Sequence, residues 1–333
     1  MTLQDLSTFF QEKDHFILTS HESPDGDGLG AMYALLQALR KLGKNALALV
    51  SEPLALKYAF LDKKNDFKTI DDPESQRIDV SDSTLVVLDT NDVHYAGRVA
   101  DVLLDRVRDY LLIDHHESHG IDPEKHLLDP GASSTCEIAY DLLRMLKIPL
   151  DLDIATALYA GIVYDTGSFS YPKTNQSTFA CALELVKAGV RPYTIHNLLY
   201  ESSSVASLLL RKRVLSTLEL HVDNSVAIQI MLRSDLADSG AAYEESEDLI
   251  NVPLRSETVQ VSVFFKENSN GVLRCSLRSK GAVNVAHIAQ GFGGGGHRTA
   301  AGFKCVLPLE KARKSVLDKL TEALSESGAE RMQ

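Results

Sequence analysis

The chain has 333 residues, more than one hydrophobic core usually spans, so length predicts two domains that each bury a core. With 44% hydrophobic and 24% charged residues it has the make-up of an ordinary globular enzyme, which excludes disordered and collagen-like classes. A formal net charge of −12 counts against long nucleic acid as a partner, because polymer binding draws on many Lys and Arg contacts, whereas a small anionic substrate needs only a local cationic pocket.

The opening Met-Thr-Leu-Gln-Asp lacks the basic and apolar regions of a signal peptide, which predicts a cytoplasmic location. Phe16–Thr19 reads as a first strand and Leu29–Leu42 as an amphipathic helix that stops at Gly43. Asn45–Val50, Thr84–Leu88 and Tyr110–Ile113 are further apolar runs of strand length, and Ile154–Tyr164 is a buried helix. Short strands alternating with helical patterns predict a parallel sheet with helices on both faces. No apolar run reaches the roughly 20 residues that cross a bilayer, so no membrane association is expected. Four scattered cysteines, Cys136, Cys181, Cys275 and Cys305, form no C-x-x-C pair and read as reduced thiols rather than metal ligands.

Val205–Leu220 is strongly helical and reads as a connector. Beyond it Val226–Leu232, Thr258–Phe265 and Val272–Leu277 are strand-like, Val283–Gln290 is helical, a glycine cluster follows, and Lys311–Leu324 is a closing helix. The second half is therefore expected to be a smaller α/β domain with a mixed sheet.

Acidic and imidazole groups stand where strands end. His21, Asp25 and Asp27 lie in His-Glu-Ser-Pro-Asp-Gly-Asp-Gly, read as a loop after the first strand. Such loops form the ligand crevice of open parallel sheets. Taken alone, D-G-D-G is equally well an Asp-rich turn that caps a helix. The pattern recurs, however: Thr84–Leu88 runs into Asp89, Tyr110–Ile113 into Asp114-His115-His116, and the buried helix into Asp165. Carboxylates gathered at one edge must protonate, disperse or bind cations, and Asp oxygen with His nitrogen suits ions of borderline hardness. Four aspartates (Asp25, Asp27, Asp89, Asp165) balance two divalent cations, most naturally Mn²⁺, with Mg²⁺, Co²⁺, Fe²⁺ or Zn²⁺ as alternatives. Asp92 lies close enough in sequence to compete with Asp89.

These motifs resemble the DHH phosphoesterase superfamily, with the Asp114-His115-His116 triplet, the His-x-x-x-Asp-x-Asp segment, the strand-end Asp89 and Asp165-Thr-Gly in the expected order. The second half is similar to the associated DHHA1 domain, through Gly293-Gly-Gly-Gly-His297 and Ser276-Leu-Arg278-Ser279-Lys280. Together they resemble the nanoRNase/pAp-phosphatase branch. The implied domains are 1–200 (DHH, catalytic and metal-binding), 201–220 (helical linker) and 221–333 (DHHA1, substrate-binding). The resemblance implies that His21 and Asp25 hold one metal, that Asp27, His115 and Asp165 hold the other, and that Asp89 bridges them. The catalytic set would be His116 on the scissile phosphate, Asp114 orienting its neighbours, and Asp89.

Gly293, Gly294, Gly295 and Gly296, flanked by His297 and Arg298, are read as backbone donors to an anion, although such a run can also be a plain flexible loop. Arg278, Ser279 and Lys280 are expected at the same ligand, with Arg278 and Lys280 alternating along a strand and Arg278 gripping a terminal phosphate. Expected substrates are very short RNA, dinucleotides and 3′-phosphoadenosine 5′-phosphate, with nucleoside monophosphates as products. A cyclic-dinucleotide or linear-dinucleotide phosphodiesterase is the rival. A family II inorganic pyrophosphatase is a minor alternative, and a non-catalytic nucleotide sensor is the alternative of another class. A homodimer is left open.

Overall fold

The computed structural model describes residues 1–117, 122, 124–268 and 270–330, without the side chains of His297 and residues 326–330. The chain divides into two compact units, Met1–Ser202 and Ser203–Gln333. No helix among the described residues is long and apolar enough to cross a membrane.

In the first unit the apolar runs pair as β1 (Phe16–Ser20), β2 (Ala46–Val50), β3 (Phe67–Thr69), β4 (Thr84–Leu88), β5 (Asp109–Asp114) and β6 (His126–Leu128), in the order β3-β2-β1-β4-β5-β6. Every pairing is parallel. Strand side chains alternate between faces, which gives each face its own core. Phe16, Leu18, Val86, Leu88, Leu111 and Ile113 join one core with the helices Gly26–Lys41, Thr135–Met145 and Leu152–Asp165. Ile17, Leu85, Val87 and Leu112 join the other, with the helix Arg98–Leu103. Connections leave β1 toward β2 and leave β4 toward β5, so the strand order reverses between β1 and β4. The crevice beyond the carboxyl ends at such a reversal is where open sheets bind ligands.

The expected elements recur with shifted ends. Thr84–Leu88 is a strand over the range read from its sequence. The first long helix starts at Gly26 rather than Leu29, because the Asp25 carboxylate caps it by accepting the N–H groups of Asp27 (2.9 Å) and Gly28 (3.4 Å). The buried helix extends to Asp165.

The second unit holds β7 (Glu219–His221), β8 (Val226–Met231), β9 (Val261–Glu267), β10 (Leu273–Ser279), β11 (Gly295–His297) and β12 (Ala300–Lys304), in the order β11-β12-β10-β9-β8-β7. The β8–β9 pair is parallel and the others antiparallel, so the sheet is mixed. One face buries Val263, Phe265, Leu277 and Phe303 against the helices Val285–Gln290 and Leu309–Glu330. The helix expected over 205–220 ends at Ser216, and its tail becomes β7. It also packs within the second unit, since Leu210 and Val214 are buried beside Met231 and Phe264.

Candidate metal centre

His21 follows β1 directly, Asp89 follows β4, Asp114 is the last residue of β5, and His115 and His116 come next. Asp27 is corrected from a loop residue to a helical one: the Asp25 cap winds it into the first turn of Gly26–Lys41, where it is fully buried. Asp165 reaches the same place from the end of Leu152–Asp165. Gly28 lets the helix approach β1 closely, because a Cβ there would collide with Ser20 Oγ. Asp89 takes a left-handed backbone (φ +64°), which redirects its side chain at the strand end.

The groups converge. His115 Nε2 lies 3.2 Å from Asp165 Oδ2, 3.6 Å from Asp89 Oδ1 and 3.9 Å from Asp27 Oδ2. The other oxygen of Asp89, Oδ2, lies 3.9 Å from His21 Nε2. Asp89 thus turns one oxygen to each of two histidines. Ligand atoms of His21, Asp25 and Asp89 lie within 4.8 Å of one another, as do those of Asp27, His115 and Asp165, and those of Asp89, His115 and His116.

Burial disfavours the charged forms of Asp27, Asp89, Asp165, His115 and His21. It raises Asp27 to about 6, helped by Asp25, and raises Asp165 to about 7, helped by Asp27 and Asp25. Burial, then the charges of Asp27, Asp25 and Asp165, lift Asp89 well above the carboxylate range. His115 is pushed down to about 4, first by burial and then by His116 and Lys173, so its ring is neutral at pH 7. Burial likewise lowers His21. Neutral imidazole lone pairs and mutually repelling carboxylates therefore face a common space, and His115 Nε2 has no hydrogen-bond partner among the described residues. A divalent cation satisfies such a donor set, which mixes hard oxygen with borderline nitrogen.

His116 is half exposed, and its Nδ1 lies 2.7 Å from Asp114 Oδ1. That hydrogen bond raises the His116 pKa, against the opposing effect of burial. Burial pushes Asp114 upward, but the bond to His116 and the charges of both histidines hold it below its usual value. The pair favours an ionised Asp114 and a protonated His116. Asp92 stands apart: its carboxylate accepts the His94 N–H (2.9 Å) and caps a short helix.

Supports absent from the sequence reading come from the helix Thr135–Met145. Its Thr135 and Cys136 N–H groups donate to the two oxygens of Asp27 (2.6 and 2.9 Å), and Thr135 Oγ1 donates to Asp89 (3.1 Å). Buried Glu137 braces the preceding turn by accepting from Ser133 N (3.1 Å), Ser133 Oγ (2.5 Å), Thr178 Oγ1 (3.1 Å) and Ser177 Oγ. The Ser134-x-x-Glu137 spacing of a capping box is the signal that could have flagged it. Lys173 Nζ donates to His115 O (2.8 Å) from a loop without a motif.

In the second unit Arg278 is half-buried on β10, and its side chain makes no hydrogen bond or ion pair among the described residues. The expected alternation of Arg278 and Lys280 is corrected, because β10 ends at Ser279. Lys280 Nζ donates to Ser256 O (2.6 Å) and Glu257 O (3.4 Å), while Ser279 Oγ accepts from Gly281 N (2.9 Å) and Val283 N (3.4 Å). Both side chains hold the turn together. A Cβ at Gly294 or Gly296 would collide with β12, whereas one at Gly293 or Gly295 would meet nothing; the expected anion donors at Gly293 and Gly294 are corrected, because their N–H groups donate to Gln290 O (3.0 Å) and Ala289 O (2.9 Å) at the end of the helix Val285–Gln290. Arg298 is exposed and reaches Gly281 O at 3.4 Å, and the His297 side chain lies outside the described residues.

The family model described as DHH family, N-terminal domain, matches residues 15–162, and that of the DHHA1 domain matches 223–326. The bifunctional oligoribonuclease and PAP phosphatase NrnA of Thermus thermophilus is 31% identical over 312 residues, covering 93% of this chain and 90% of that protein. The cyclic-di-AMP phosphodiesterase GdpP of Geobacillus thermodenitrificans is 28% identical over 311 residues, covering 89% of this chain and 45% of that protein. An exopolyphosphatase-related protein from Bacteroides fragilis shares the fold, with a TM-score of 0.87, 24% identity and 97% coverage of each chain. The chain belongs to the DHH family of phosphoesterases and carries a DHHA1 domain in its second half.

Proposed function

We propose that the chain hydrolyses very short RNA, including dinucleotides, to nucleoside monophosphates, and removes a phosphate from 3′-phosphoadenosine 5′-phosphate. The observation that carries this reading is the divided Asp89, one oxygen toward each of two ligand groups. In this reading His21 and Asp25 hold one divalent ion and Asp27, His115 and Asp165 a second, Mn²⁺ being the natural choice for mixed oxygen and nitrogen donors. When bound, the ions supply Lewis acidity that acidifies water and neutralises phosphoryl charge. Asp89 orients both groups. Protonated His116, held by Asp114, donates a hydrogen bond to a phosphoryl oxygen as negative charge builds there. The first unit carries this chemistry. Arg278 of the second unit, whose side chain makes no hydrogen bond or ion pair among the described residues, takes a substrate phosphate.

The substrate class rests on similarity to the T. thermophilus oligoribonuclease and PAP phosphatase over most of both chains. Similarity to a cyclic-di-AMP phosphodiesterase favours dinucleotide turnover as the second reading. Purified protein with Mn²⁺ is offered a five-nucleotide RNA, pApA, pGpG, 3′-phosphoadenosine 5′-phosphate, cyclic di-AMP and pyrophosphate. Release of monophosphates from the linear substrates is expected. Exclusive cleavage of cyclic di-AMP would replace this reading with the second, and no turnover on the whole panel would leave a nucleotide sensor.

A further inference from the structure

One face of the second unit's sheet is packed against the helices Val285–Gln290 and Leu309–Glu330; on the opposite face Met231 and Phe264 are covered by Leu210 and Val214 of the helix Val205–Ser216, while the β10 and β12 side of that face carries cations. Along β10, Cys275 and Leu277 enter the core, so Arg274, Ser276 and Arg278 share the other face. Strand register extends this face sideways. Arg274 stands opposite Lys266 of β9 and Lys304 of β12, and Ser276 opposite Phe264 and Gly302, with Gly295 of β11 next to Gly302. Arg278 stands opposite Ser262 and Ala300.

Three cations therefore line up across three neighbouring strands. Like charges placed directly opposite destabilise a sheet, and no fold requirement asks for them. Lys266 is engaged locally: its Nζ sits 4.9 Å from the Tyr243 ring centroid and 5.7 Å from that of Phe264, and Glu247 and Glu244 bear on it. The side chains of Arg274 and Lys304 are exposed and make neither a hydrogen bond nor an ion pair among the described residues. Between them and Arg278 the floor is low, made of Ser276, Gly302 and Gly295, and a Cβ at Gly295 would meet nothing. Arg274 and Arg278 are four residues apart, about 13 Å along the strand.

We propose that this face is a track for an RNA backbone, in which Arg274 and Lys304 hold a phosphate beyond the one taken at Arg278. The proposal rests on the reading that the chain acts on short RNA. It adds that the chain favours oligonucleotides of several residues over dinucleotides, by a contact that pApA and 3′-phosphoadenosine 5′-phosphate are too short to make. In a chain of net charge −12, this is a local cationic surface of the kind a small polyanion needs.

The test uses the full chain, its Arg274→Ala/Lys304→Ala double variant and the charge-keeping Arg274→Lys/Lys304→Arg double variant. Binding of a fluorescein-labelled pentaribonucleotide is followed by anisotropy across a salt series, with Ca²⁺ replacing Mn²⁺ to slow cleavage. The alanine variant is expected to bind about tenfold more weakly, with a salt slope reduced by about 0.7 for each phosphate no longer contacted, and the charge-keeping variant to stay near the parent. With Mn²⁺, the ratio of kcat/KM for the pentanucleotide to that for pApA falls about tenfold, through KM. Equal pentanucleotide affinity of alanine variant and parent overturns the track. A parent that binds the pentanucleotide in the expected way but cleaves nothing overturns the proposed function and leaves the track standing.

Discussion

Asp89→Asn is expected to make the metal-free protein more stable and the enzyme inactive, a pairing of signs that an ordinary structural aspartate does not give. Ligand oxygens of Asp25 and Asp89 lie within 4.8 Å, so with both ionised they repel by about 3.5 kcal/mol at an effective dielectric constant near 20. Asp27 and Asp165 add to the same effect on Asp89. Without metal the chain escapes part of this by taking up protons, which leaves a relief on the order of 1–3 kcal/mol when the Asp89 charge is removed at pH 8. Little is lost in exchange. Asparagine tolerates the left-handed backbone at φ +64°, and its carbonyl can still accept the Thr135 hydroxyl. Thermal melts in EDTA at pH 8 should place the variant several degrees above the parent. Added Mn²⁺ should raise the parent's melting temperature and barely move the variant's, and turnover should be lost. A metal-free variant that melts below the parent, or equal stabilisation of both proteins by Mn²⁺, refutes the placement of Asp89 among crowded carboxylates.

His116→Ala should keep the parent's Mn²⁺ stoichiometry, read by elemental analysis, while kcat falls about 100-fold or more, if the histidine acts on charge developing at phosphorus as proposed. Folded-state pKa values raised to about 6 for Asp27 and about 7 for Asp165 mean that the metal-free fold holds protons the unfolded chain releases. Its stability is thus greatest below the ordinary carboxylate pKa and is lost as pH rises through about 6 to 7, so melts in EDTA should be lower at pH 8 than at pH 5.5, and saturating Mn²⁺ should shrink the difference. Gly161→Ala places a methyl against Cys136 Sγ and 2.9 Å from Asp27 Oδ1; calorimetric titration should show weakened Mn²⁺ binding, with a stability loss of about 1–3 kcal/mol. Glu137→Ala strands the buried donors of Ser133 and Thr178, while Ser177 Oγ keeps Asn175 Oδ1 as acceptor, and should cost about 3 kcal/mol in denaturant melts, whereas Glu137→Gln should cost less because it keeps one acceptor.

The strands were legible because a run such as Thr84-Leu-Val-Val-Leu88 is buried on both faces and is uniformly apolar. Asp89, Asp114 and His115 were legible for the same reason, since a polar residue that ends such a run emerges at the sheet's edge. Asp27 was misread as a loop residue because its flanking glycines mask a helix start that the Asp25 cap creates. The β7 strand was hidden because Glu219-Leu-His221 continues a helical pattern, and only pairing with Val226–Ile228 makes it extended. Cross-strand neighbours such as Arg274 and Lys304 are 30 residues apart in the chain, and no local pattern reveals that they face each other.

What holds five acidic side chains together without metal is also a matter of tertiary placement. Asp27 is fully buried, yet both of its oxygens accept backbone N–H groups, from Thr135 and Cys136, at the first turn of the helix Thr135–Met145. The end of a helix that presents free N–H groups carries roughly half a positive charge, so it meets a carboxylate with hydrogen bonds and a favourable dipole together. Those bonds oppose the effect of burial and keep Asp27 within reach of ionisation near neutral pH. The same helix steadies Asp89 through the Thr135 hydroxyl, and Glu137, one turn into it, fixes the approach of Ser133. A preformed protein frame thus positions the candidate ligands without help from a cation. A divalent cation bound in the proposed way would replace protons on acids already in place, so its affinity should rise with pH over the same interval in which metal-free stability falls, which titration of Mn²⁺ at several pH values checks.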